Sequence, residues 1–113
     1  MNVDQARAAI LAAVPRGFAR TTVAYIADRC FAPGEILSLN RQPLTVDRAI
    51  HFGFIDLEAG RNWAHACKCV LCNCADNGIE TRPLSLPPEL GGDRRLVLIV
   101  AGDDVPDWAI LNG

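Results

Sequence analysis

Asp76-Asn77-Gly78 constrains the fold of this chain more tightly than any other short segment. Asn-Gly tolerates the positive φ angles of two-residue turns whose twist matches the flanking strands, so a strand on each side is expected to return antiparallel. Ile79 to Leu84 reads as the returning strand, and the strand before the turn runs from about Trp63 to Cys74. That earlier strand carries four of the five cysteines, Cys67, Cys69, Cys72 and Cys74, with His65 just ahead of them. Any specific chemistry is therefore sought there.

The rest of the chain supplies a helix and further strands. Asn2 and Gln5 fit the reciprocal cap at a helix start, and Val3, Ala6, Ile10, Ala13 and Val14 recur at helical spacing before Pro15-Arg16-Gly17 ends the pattern. Arg20 to Ala27 is rich in Thr, Val, Tyr and Ile and predicts a strand. Pro33-Gly34 predicts a turn, Glu35 to Leu39 a short strand and Asn40 to Pro43 a loop. From Arg48 to Leu57 the pattern alternates again, with Ile50, Phe52 and Phe54 on one face and His51, Gly53 and Ile55 on the other. The continuous apolar run Leu96 to Val100 predicts a strand buried on both faces. These elements add up to an α+β fold, an N-terminal helix packed on an antiparallel sheet of about four to five strands. The helix is expected on the face of Ile50, Phe52 and Phe54. Residues 1–113 form one domain, with a linker over 85–93 before a C-terminal strand segment at 94–113. Trp63 and Trp108 are expected as core anchors.

Several function classes fall away on composition. The net charge is −2 and the basic residues are scattered, so nucleic acid is not an expected partner. Arg94-Arg95 is the only adjacent basic pair and reads as a solvated strand start; Asp103-Asp104 reads as a solvated turn. No stretch approaches the roughly 20 apolar residues needed to span a bilayer. Met1 to Val14 carries Asp4 and Arg7 and lacks a basic start before an apolar run, so it reads as a helix and not a secretory signal. A reducing, cytoplasmic setting follows, in which five cysteines are not a disulfide framework.

Four uses of the cysteine strand remain. Zinc wants four converging thiolates or imidazoles. Cys67, Cys69, Cys72 and Cys74, with His65, are the candidate ligands, but strand alternation sends Cys67 and Cys69 one way and Cys72 and Cys74 the other. A Cys/His enzyme could pair His65 or His51 with Cys67, yet the chain has no Gly-rich nucleophile turn. The Cys69–Cys72 spacing suits a redox pair only at a helix N-terminus, not in mid-strand. The simplest use is packing, with free cysteines serving as small buried hydrophobes.

Phe54-Ile55-Asp56, Asn62-Trp63-Ala64-His65-Ala66-Cys67-Lys68, Gly78 and Leu86-Pro87-Pro88 together resemble the sheet domain found ahead of bacterial caspase-like (legumain-type) cysteine peptidases. That family shows an Asn-Trp-x-His-x-Cys-Arg-aromatic strand, an Asn/Thr-Gly turn and a Pro-Pro linker. Here Ala66 stands in place of the usual Pro, and Cys69, Cys72 and Cys74 replace aromatic or aliphatic residues. The order of helix, strand and Asn-Gly hairpin is also similar to propeptide domains of the PepSY or cystatin-like type. Both resemblances imply a non-catalytic accessory domain that binds another protein or its own downstream domain, without a cofactor. The alternatives are a zinc-binding protein and a Cys/His-dependent enzyme. The apolar run Trp108-Ala109-Ile110-Leu111 adds an expectation of association, with itself or another chain.

Overall fold

The computed structural model describes residues 1–60 and 66–111. Among the described residues one α-helix, α1 (Val3–Ala12), precedes seven strands: β1 (Val23–Ala27), β2 (Ile36–Leu39), β3 (Gln42–Thr45), β4 (Ile50–Asp56), β5 (Cys67–Asn73), β6 (Ile79–Leu84) and β7 (Leu96–Ala101). Five of them form a sheet in the order β6-β5-β4-β1-β7, and every neighbouring pair is antiparallel. β2 and β3 form a separate hairpin. The fold is α+β and mostly strand.

The helix starts where its sequence says it should. Asn2 Oδ1 accepts from the Gln5 amide at 2.8 Å, and Gln5 Oε1 accepts from the Asn2 amide at 2.8 Å. Two of the helix's unsatisfied N-terminal donors are thereby paired. Ala6 and Ile10 form its fully buried face. β5 and β6 pair antiparallel as expected, from Cys72 opposite Ile79 to Cys67 opposite Leu84, but five residues, Cys74 to Gly78, join them, and neither Asn77 nor Gly78 takes a positive φ.

Two cores sandwich the sheet. On one side Val23, Tyr25, Phe52, Phe54 and Leu84 of the sheet pack with Phe31, Leu37, Leu39 and Leu90 from the hairpin and connections. Tyr25 stacks on Phe54 with ring centroids 5.9 Å apart, and Phe31 meets Phe52 edge-on at 6.2 Å. On the other side α1 sets Ala6 and Ile10 against Ala24, Ile26, Ile55, Val70 and Cys72. The helix therefore covers the Gly53–Ile55 face of β4, not the expected face of Ile50, Phe52 and Phe54. Gly53 is the reason. A Cβ there would stand 2.5 Å from both Cδ1 and Cγ1 of Ile10, so the missing side chain lets the helix settle onto the strand.

Three further expectations are corrected. The loop expected over Asn40–Pro43 is a two-residue turn, with φ of 52° at Asn40 and 65° at Arg41, and Pro43 already belongs to β3. Residues 85–93 run between β6 and β7, where Glu89 exchanges backbone hydrogen bonds of 2.8 and 3.0 Å with Ser38 and Leu90 is buried. β7 is not buried on both faces. Among the described residues it is an outer strand bonded only to β1, with Val97, Leu98 and Val100 exposed. Its register slips by one residue at Ala24/Tyr25, leaving Ile99 as the extra residue of a bulge. Trp108 is no core anchor, being 69% exposed. Trp63 lies outside the described residues.

Candidate functional site

β5 sits between β4 and β6, and its alternation divides the cysteines. Cys67 and Cys69 are buried in the aromatic core, whereas Cys72 is buried in the helix-side core. Cys74, one residue past the strand, is half-buried. The four candidate ligands thus do not share one face, and His65 lies outside the described residues. Among the described residues, no group of three or more His, Cys, Asp or Glu side chains is placed to hold a metal ion.

The electrostatics keep these thiols neutral. Burial, reinforced by Asp56, pushes Cys67 up to about 12, and the Cys67 thiol donates to Asp56 Oδ1 at 3.9 Å. Burial pushes Cys69 up to about 11. Cys72 is raised by burial as well. Cys74 is raised first by burial and then by its neighbour Cys30, against the opposing pull of the N-terminal ammonium group. Nucleophiles and metal ligands are thiolates, so an environment that favours the thiol favours packing. His51 faces Cys72 across the β4–β5 register.

A cleft of about 350 Å³ opens between the β2–β3 hairpin and the β5–β6 hairpin, lined by Val46, Arg48, Leu71, Asn73, Ile79 and Arg82 among others. Four of its charges are paired, Arg48 with Asp47 at 3.4 Å and Arg82 with Glu80 at 2.9 Å, while Asp76 Oδ1 accepts from the Gly78 amide at 2.6 Å. The lining brings no nucleophile and base together.

The two sheet edges differ sharply. β6 presents Glu80, Arg82 and Pro83, residues that discourage another strand from pairing. β7 has the sequence Leu-Val-Leu-Ile-Val-Ala, with no charge and no proline. Val97, Leu98 and Val100 on it are 38%, 45% and 42% exposed. The charges lie just beyond its ends, Arg94-Arg95 before it and Asp103-Asp104 after it. Sequence reasoning missed this surface because an apolar run reads as buried. The available signal was the contrast with the charged, proline-bearing β6.

No family model, curated protein or solved structure matches the chain.

Proposed function

We propose that this chain is a non-catalytic accessory domain that binds protein, and that it does so at the free edge of β7. The observation that carries the reading is the unguarded, apolar outer strand opposite a guarded one. An outer strand offers a row of unpaired backbone N–H and C=O groups, and a partner strand that adds to it gains main-chain hydrogen bonds plus side-chain contacts. Fully burying a Val or Leu is worth roughly 1.5–3 kcal/mol, so the exposed fractions of Val97, Leu98 and Val100 leave on the order of 1 kcal/mol each for a partner to recover. Cys67, Cys69 and Cys72 belong to the interior on this reading, which agrees with their burial and raised thiols.

The test is site-specific photocrosslinking in cells. A photoreactive residue at Val100 is expected to give covalent protein adducts, and the same residue at Glu80 on β6 to give none. Adducts from Glu80 alone, or from neither edge, would overturn the reading.

A further inference from the structure

We infer that the partner at β7 is a second copy of this chain, paired antiparallel across a two-fold axis. This rests on β7 being the interaction edge. A two-fold interface must be complementary to itself, and the sequence around β7 meets that condition. Its body is uncharged and its ends carry opposite charge, Arg94-Arg95 at the start and Asp103-Asp104 after Gly102. Antiparallel pairing sets the basic end of each copy beside the acidic end of the other, twice per dimer. Parallel pairing would set like beside like.

The charges within each copy sharpen the assignment. Arg94 is already committed: it lies 2.6 Å from Glu35 Oε2, donates to the Cys30 carbonyl at 3.0 Å and sits over the Phe31 ring, 4.0 Å from its centroid. Asp104 is committed too, held by Arg20 through two bonds of 2.9 and 3.0 Å. Arg95 and Asp103 are exposed, and neither side chain makes an ion pair within the chain among the described residues. Of the charges flanking β7, these two lie nearest its ends without an ion pair. The bulge fits the same arrangement. Ile99 lies near the midpoint of β7, so an axis there sets bulge against bulge and leaves the flanking residues of both strands to pair.

Sedimentation velocity and native mass spectrometry test this with two variants at exposed positions, Arg95→Asp and Asp103→Arg. The wild-type chain is expected to be a dimer that weakens as salt is raised. Each variant alone brings like charges together at both ends and should self-associate roughly tenfold more weakly, or less still. An equal mixture of the two restores an opposite-charge contact at each end, so the mixed dimer should exceed both homodimers. Thermal melts of each variant establish that it is folded before its mass is read. A wild-type chain that stays monomeric while Val100 crosslinks to other proteins overturns the second copy but keeps β7 as the interaction edge. A dimer indifferent to both variants and to Val100→Lys places the contact elsewhere and overturns the inference. Absence of the preferred mixed dimer overturns it as well.

Discussion

Gly53→Ala is expected to destabilise the fold by an amount that Ile10 controls. The added Cβ would stand 2.5 Å from Ile10 Cδ1 and Cγ1 and 3.3 Å from Cγ2. Ile10 is fully buried between α1 and the sheet, and its branched side chain has little rotamer freedom in a helix. The helix or the strand must therefore give by close to 1 Å. Overpacking of this kind costs typically ~1–3 kcal/mol. Replacing glycine inside a strand returns ~0.5–1 kcal/mol of backbone entropy. The net expectation is a loss of ~1–2 kcal/mol, which lowers the melting midpoint by roughly 5–10 °C for a chain of this size. Ile10→Ala alone should cost ~2–5 kcal/mol through the cavity it leaves. In the double variant the new methyl group enters that cavity, so the two changes should cost less together than their sum, by ~1 kcal/mol or more. Urea denaturation of the four proteins measures all the terms. A Gly53→Ala midpoint at or above wild type, with strict additivity to Ile10→Ala, would refute the seating of α1 on this face.

Three other outcomes are expected. Cys69 is fully buried, so Cys69→Val should hold the urea midpoint close to wild type, while Cys69→Ser should lose ~1–3 kcal/mol by placing a hydroxyl in the aromatic core; equal loss from both would argue against a packing role. Stability should fall as pH rises from about 9 toward 12, because the raised Cys67 and Cys69 thiols stay protonated in the folded chain while the unfolded chain ionises; a Cys67→Val/Cys69→Val variant should show a shallower alkaline slope in the same titration. Arg94 holds the Glu35 carboxyl below the usual carboxylate range, so its contribution is present above the ordinary carboxylate pKa and is lost as pH falls through the lowered one; acid unfolding of Glu35→Gln followed by circular dichroism should lack that part of the slope, and an unchanged slope would remove the pair from the account.

Local signals carried much of the fold. The Asn2/Gln5 cap, the antiparallel return after Asn77-Gly78 and the alternation of Ile50, Phe52 and Phe54 each rest on residues close in the chain, and each stands in the structure, although the return uses a five-residue connection without the positive φ angles expected of Asn-Gly. The split of Cys67 and Cys69 from Cys72 was readable for the same reason. The helix's choice of face was not, because both faces of β4 are buried and alternation cannot rank them. Gly53 held the answer, but an absent side chain reads as weakness in a strand until the helix above it is seen. The β2–β3 turn hid because Arg41 takes a left-handed conformation usually given to glycine. β7 was misread because an apolar run reports affinity for burial and not the presence of a cover. The position of β7 beside β1 is set by pairing between distant parts of the chain, which no local pattern encodes.

That pairing has a consequence for how the chain is made. β1 is buried along its whole length, yet its two neighbours, β4 and β7, both come later in sequence, and β7 comes last of all the strands. During synthesis Val23–Ala27 must wait with one side unpaired until residue 101 has been added. Every nascent chain therefore passes through a stage in which an uncharged inner strand is open to any extended segment nearby. Slow translation before Leu96 would lengthen that stage and lower the yield of folded protein without altering a single contact of the finished sheet.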